Sequence, residues 1–239
     1  MKFATQSPHP VRFEWGIHGV RNVANSGGVA IIVDVLSFST CVDIACSRNA
    51  QVLPYRYKDA TAEAFARANS AVLAVERSGN GLSLSPQSLL NIEPGTRLVL
   101  PSPNGSTLTL DCTAPVVLAG CLRNASAVAA FASRHPGPVT VVAAGEQWEN
   151  GSLRPAVEDL LGAGAIIHCL EAARSAEAAV AEAAFVGSGS QLSSILGSCA
   201  SAVELIGRGF AADVELAAAL NASGCVPRLT DGAYISADD

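Results

Sequence analysis

The stretch "GVAIIVDVLSFST" (28–40) runs through Val29, Ala30, Ile31, Ile32 and Val33 and then meets a carboxylate, Asp34. A charge at the end of a buried strand is costly unless a metal ion, a ring of hydrogen bonds or a helix N-terminus compensates it. Three other segments offer related chemistry. "SPNGST" (102–107) sets Asn104 and Gly105 at a tight turn, with Ser106 and Thr107 opening a helix. Free backbone N–H groups there suit a phosphate or sulfonate, although Asn-Gly is equally common in ordinary turns. Arg123 and Asn124 follow "PVVLAG" (115–120), and Glu146 follows "PVTVVAAG" (138–145). "VEDLLGAG" (157–164) carries adjacent acids, Glu158 and Asp159. Neighbours on a helix point about 100° apart, so at most one is expected at a shared site. Residue type alone favours a solvated acidic first turn for the pair. Gly162 and Gly164 would let that helix approach a neighbouring backbone closely.

The elements that must position these residues alternate in type. Strands are expected at 28–35, 51–55, 71–76, 97–101, 115–120 and 138–145, with helices at 39–50, 58–69, 121–135 and 154–174. The chain beyond is mostly helical, broken at "GSGS" (187–190), until a last strand at 225–235 turns over at Asp231-Gly232. The longest turn-rich stretch, "RSGNGLSLSPQSLLNIEPG" (77–95), is by its length a candidate binding loop. Continuous apolar strands between helices predict a three-layer α/β/α fold with a mixed, largely parallel sheet. No linker or internal repeat divides it, so 1–239 reads as a single α/β domain, mainly helical from about 155. Ligands in such sheets sit beyond the carboxyl ends of the strands. Parallel strands would therefore bring Asp34 with Ser37, Ser39 and Thr40, the 102–107 turn, Arg123 with Asn124, and Glu146 to one edge.

Bulk properties narrow the functions. Lys plus Arg is 15 and Asp plus Glu is 21, giving a formal charge of −6 with no basic run, which is not the footprint of a nucleic-acid binder. The start, "MKFATQSPHPVRFEWG", has no apolar h-region, and no apolar run approaches the roughly 18 to 20 residues of a membrane helix. Seven scattered cysteines without a C-x-x-C pair read as reduced thiols in the cytoplasm rather than a zinc site. There is no G-x-x-x-x-G-K-[ST], no G-x-S-x-G and no C-x5-R. His9, His18, His135 and His168 lie apart and read as structural.

The order "VDVLSFST", "SLSP", "PSPNGST", "LRNASAVA", "AAGE…VEDLLGAGAI", "GFAADVELAAALN…VP" resembles the 2-phosphosulfolactate phosphatase family over roughly 28–235. The resemblance implies a magnesium-dependent hydrolase of the phosphate ester of sulfolactate, a step toward coenzyme M. It matches Asp34 to the family's strand-end aspartate, and Asn104, Gly105 and Ser106 to its Asn-Gly-Thr turn. Glu158 and Asp159 match its Glu-Asp pair, and Asp213 its late helical aspartate. Two positions depart: Ser37 stands where the family has Arg, and Leu84-Ser85-Pro86 where it has Asn-Ser-Pro. Arg123 is the candidate for the missing cation, since Ser cannot replace the charge of a bidentate guanidinium.

The reaction so implied has Mg²⁺ held by Asp34 with Glu158 or Asp159. Ser37, Ser39, Thr40 and the 104–107 turn would donate to phosphoryl oxygens, and Glu146 would be the base. The expected partner is a small anionic phosphorylated substrate, with no nucleic acid and no membrane, and a homodimer stays open as the assembly. A non-catalytic anion- or metabolite-binding relative is the alternative reading.

Overall fold

The computed structural model describes residues 5–57 and 59–237. Met1–Ala4 and Lys58, the first residue of one expected helix, lie outside them. In chain order the strands are β1 (Val11–Trp15), β2 (Val29–Val33), β3 (Gln51–Tyr55), β4 (Val72–Leu73), β5 (Arg97–Pro101), β6 (Val116–Gly120), β7 (Val139–Ala143), β8 (Glu146–Gln147), β9 (Leu153–Arg154), β10 (Pro227–Thr230) and β11 (Ala233–Ser236). The helices are α1 (Gly16–Asn22), α2 (Phe38–Ser47), α3 (Ala60–Ala68), α4 (Gly105–Asp111), α5 (Ala125–Ser133), α6 (Val157–His168), α7 (Ala176–Ser188), α8 (Leu192–Ser198), α9 (Ala200–Gly207) and α10 (Ala211–Ala217).

Nine strands form one mixed sheet in the order β1-β7-β2-β6-β10-β11-β3-β5-β4, and β8 pairs with β9 apart from it. The pairs β1·β7, β7·β2, β2·β6, β3·β5 and β5·β4 are parallel. The antiparallel hairpin β10–β11 joins the two parallel groups through Arg228↔Leu118 on one side and Tyr234↔Val52 on the other. This is the three-layer α/β/α arrangement with a largely parallel sheet that the alternation predicts.

Strand β2 shows why its sequence is apolar throughout: every residue is covered. Successive side chains point to opposite faces. Val29, Ile31 and Val33 pack with Val128 and Phe131 of α5 and Ile166 of α6, whereas Ala30 and Ile32 pack with Val20 of α1 and Leu108 of α4. A third cluster places α2 residues Cys41, Val42 and Ala45 against Val52, Leu98, Leu100 and Tyr234. Helix α6 lies close on its neighbours because of its glycines. A Cβ at Gly164 would fall 2.2 Å from Ala181 O of α7, and one at Gly162 2.6 Å from Val35 Cγ2.

Several elements differ from the sequence expectation: α1 and the β8–β9 pair are additional, and β4 is shorter than the strand expected at 71–76. β1 is not among the expected strands, although "VRFEW" alternates apolar and charged residues; it is added in parallel to β7 at the end of the sheet. The helix expected at 154–174 is shorter, since Arg154 is used in β9 and the helix closes at His168. The helical part from α6 to α10 and the turnover at Asp231-Gly232 are as expected.

Candidate active site

Asp34 directly follows β2 and is 5% exposed. Its Oδ1 accepts from Phe38 N at 3.2 Å, at the start of α2, and its Oδ2 from Gly105 N at 2.8 Å, at the start of α4. Ser102 Oγ is 3.5 Å from Oδ2. Two helix N-termini thus compensate the carboxylate, where partial positive charge is concentrated. Burial nevertheless pushes its pKa up; those two N–H donors oppose the shift and the Glu158 carboxylate adds to it.

Glycine is required at position 105. A Cβ there would lie 2.3 Å from Phe38 Cδ1 and 2.8 Å from Asp34 Oδ2. The Asn-Gly turn is therefore tight for the sake of the carboxylate, and the Gly105 N–H is spent on it rather than left for a phosphate.

Glu146, just beyond β7, accepts from Asn104 Nδ2 at 2.9 Å. Its pKa is pushed up to about 7, first by burial and then by Asp34 and Glu158, against the Asn104 hydrogen bond and the Arg154 charge. The adjacent acids of α6 are both buried, Glu158 at 2% and Asp159 at 3% exposure, which overturns the reading of a solvated first turn. Asp159 is a strut. Its Oδ1 accepts from Val35 N at 2.7 Å and its Oδ2 from Gly145 N at 2.8 Å, tying the segment after β2 to that after β7. Burial, Asp34 and Glu158 together hold its pKa well above the ordinary carboxylate range. Glu158 faces the Cys199 thiol, whose pKa burial first and then this carboxylate push up to about 12. Four acids are thus pressed electrostatically on one another.

Asp34 and Glu146 open onto a cavity of about 500 Å³, which Ser37, Ser102 and Asn104 also line. Four arginines stand around it: Arg56, Arg77, Arg154 and Arg208. Sequence reasoning missed all four. Arg77 lies in the stretch singled out for its length, and its Nη2 donates to Ser37 Oγ at 3.0 Å. Arg154 lies opposite Glu146 in the β8–β9 pair, with its Nη2 donating to Ser201 Oγ at 3.1 Å. Nothing in spacing alone announces Arg56 or Arg208.

Several expected substrate contacts are corrected by the hydrogen bonds. Ser39 Oγ donates to Ile32 O at 3.0 Å and accepts from Asp34 N, and Thr40 Oγ1 donates to Val35 O at 2.8 Å. Ser106 Oγ donates to Leu100 O at 2.9 Å. All three are fully buried, their hydroxyls turned back on nearby backbone. Thr107 does not line the cavity. Arg123 is not the cation of this site: its Nε donates to Asp43 Oδ2 at 2.8 Å and its Nη1 to Leu216 O. Asn124 is wholly buried, its Oδ1 accepting from Cys121 N and its Nδ2 reaching Ala119 O and Cys225 O. Three of the four expected strand-end clusters meet, and the Arg123–Asn124 cluster does not reach the cavity. Asp213 of α10 is near it through Arg77, with which it forms a buried ion pair.

A family model described as 2-phosphosulpholactate phosphatase matches residues 18–232. A curated protein named 2-phosphosulfolactate phosphatase, from Methanothermobacter thermautotrophicus, is 35% identical over 209 residues, covering 86% of this chain and 88% of the relative.

Proposed function

The chain belongs to the 2-phosphosulfolactate phosphatase family, and from that premise we propose that it hydrolyses the phosphate ester of a small polyanionic acid, 2-phosphosulfolactate itself. The observation that carries this reading is the meeting of Asp34, Glu146 and Asn104 with four arginines around one cavity. A substrate bearing phosphate, carboxylate and sulfonate needs several cations to leave water, and a hydrolytic centre needs a base that titrates near neutrality. The cavity, at about 500 Å³, is within the range of small-ligand sites.

Mg²⁺ is the cofactor we propose, and the donor chemistry fits it. Buried carboxylates that raise one another's pKa lack a counter-charge, and carboxylate oxygen is the donor Mg²⁺ prefers. Among the described residues no three His, Cys, Asp or Glu side chains are grouped as a metal cage. That suits an ion taking one or two protein ligands, Asp34 and Glu158, and leaving other positions to water and phosphate. Asp159, which does not line the cavity and whose oxygens tie the segment after β2 to that after β7, is better read as the strut behind them; Asp34 also accepts two backbone N–H groups but opens onto the cavity. When bound, Mg²⁺ neutralises phosphoryl charge and acidifies water.

The chain's own residues supply the rest. Glu146, held through Oε2 by Asn104, takes the proton of the attacking water as its oxygen bonds to phosphorus. The ester P–O bond breaks, giving inorganic phosphate and the hydroxy acid, whose oxygen is protonated from solvent. Ser37 and Ser102, both lining the cavity, donate to phosphoryl oxygens. The product would be sulfolactate, consistent with a place in coenzyme M biosynthesis. A cytoplasmic location is supported by seven free cysteines, including Cys41, Cys46 and Cys121 in the core. No helix among the described residues is long and apolar enough to cross a membrane. We keep a homodimer as the proposed assembly, to be read by light scattering.

A phosphate-release screen of small phospho-acids, with Mg²⁺ and with chelator, tests the activity. Turnover of 2-phosphosulfolactate that stops with chelator supports it. Binding of that ester without phosphate release would instead favour the non-catalytic reading.

A further inference from the structure

The four cavity arginines are not held alike. Arg208 pairs with Glu204 between side chains that are 56% and 67% exposed, and Arg56 shares Asp111 with Arg21 while itself 33% exposed. Arg154 is stacked over Trp148. Arg77 is only 12% exposed in its side chain and is fixed by three side chains from two segments. Its Nη1 is ion-paired with Asp213 Oδ2 on α10, its Nη2 donates to Ser37 Oγ at the start of α2, and its guanidinium lies over the Phe210 ring. Asp213 is 1% exposed, and its other oxygen accepts from Ser85 Oγ at 2.6 Å and Gln87 N at 3.0 Å. One buried carboxylate therefore holds both the arginine and the far end of the loop that bears it.

A guanidinium has five N–H donors, and two are used by these bonds, so a planar edge is left for a ligand. Ser37 lies three residues beyond Asp34 and lines the same cavity, which is large enough to hold more than a phosphoryl group. The carboxylates Asp34 and Glu146 and the amide of Asn104 gather at the ends of β2, β7 and β5. Arg77 lines the same cavity, with Leu84 of its own loop. From this geometry, and resting on the phosphatase reading, we infer that Arg77 binds the anionic group of the substrate that does not react, a sulfonate or carboxylate. Asp213 is its positioning residue. The fork matches two oxygens of either group, whereas a flexible ammonium would not.

The experiment uses Arg77→Ala, Arg77→Lys and Asp213→Asn in the full chain, with 2-phosphosulfolactate and the uncharged-tail ester phenyl phosphate as substrates. For Arg77→Ala the expected result is a KM for 2-phosphosulfolactate raised by about 30-fold or more, with kcat within about 3-fold. The kcat/KM for phenyl phosphate should also fall, because Arg77 holds Ser37, but at least about 5-fold less than that for 2-phosphosulfolactate. Arg77→Lys, which keeps the charge opposite Asp213, is the variant that reports if Arg77→Ala does not fold; it should raise KM about 10-fold. Asp213→Asn should also raise KM selectively for the polyanion, and by less than Arg77→Ala. An equal loss on both esters, or a fall in kcat with KM unchanged, would overturn the inference.

Calorimetry of sulfolactate separates this inference from the activity itself. If the parent protein turns over no ester, the phosphatase reading fails. The Arg77 assignment then stands if Arg77→Lys weakens sulfolactate binding about 10-fold, and falls if binding is unchanged.

Discussion

The backbone N–H of Gly105 donates to Asp34 Oδ2 at 2.8 Å, joining the ends of β5 and β2. Four strands, β6, β10, β11 and β3, separate those two in the sheet order. The carboxylate therefore ties together the ends of strands far apart in the sheet as well as serving local chemistry. Gly105→Ala would drive a methyl group into Phe38 and Asp34. It should destabilise the fold by about 1–3 kcal/mol and slow turnover, read from a thermal melt and a rate assay. An unchanged melt would show that the contact yields freely.

Stability of the metal-free protein should fall as pH rises. Asp34, Asp159 and Glu146 all bind protons more tightly folded than unfolded. By linkage, the stability each contributes is complete below its ordinary carboxyl value and is lost as pH climbs through its raised one. For Glu146 that window runs from 4.5 to about 7. Melts of the parent protein and Glu146→Gln across that window should converge at the acid end and diverge above it, with the variant the more stable. Added Mg²⁺ should raise Tm more at about pH 8 than at about pH 5.5, because carboxylates bind it only when ionised. An equal shift at both would count against carboxylate ligation.

Glu146→Gln should lower kcat by about 10²- to 10⁴-fold, the span of a lost general base. The parent kcat/KM should rise with pH through about 7 and the variant should lose that limb. Asn104→Ala should move the limb upward, since the hydrogen bond from Asn104 holds the Glu146 pKa down. A limb that persists in Glu146→Gln would assign it to another group.

Much of this arrangement is legible in the sequence, for identifiable reasons. Asp34 stands out because an acid ends an uninterrupted apolar strand, and Asn104 and Glu146 because they follow strand ends. What the sequence conceals is direction and partner. Ser39, Thr40 and Ser106 are at the right edge, but their hydroxyls satisfy the backbone of the strands they follow. Arg123 has a suitable charge and position, yet Asp43, a helical acid with no motif about it, captures it. Arg77 reaches Ser37 across 40 residues of chain, a pairing set by the course of a loop and by Asp213 rather than by any spacing. The acids Glu158 and Asp159 mislead because helical neighbours diverge by about 100°. Both are buried here because α6 is pressed onto the segments after β2 and β7.

Asp159→Asn should cost about 1–3 kcal/mol, since an amide has one acceptor for two buried N–H donors, Val35 and Gly145. A lower Tm with reduced kcat would fit a strut that holds two strand ends at the cavity. A Tm equal to or above the parent's would mean that relief of charge crowding outweighs the lost hydrogen bond.

The most direct measurement follows 2-phosphosulfolactate by ³¹P NMR with Mg²⁺ and the parent protein or Asp34→Asn, each shown to be folded by circular dichroism. The account predicts conversion of the ester to inorganic phosphate by the parent and a loss of at least about 10²-fold in the variant. Conversion at the parent rate by Asp34→Asn would contradict it.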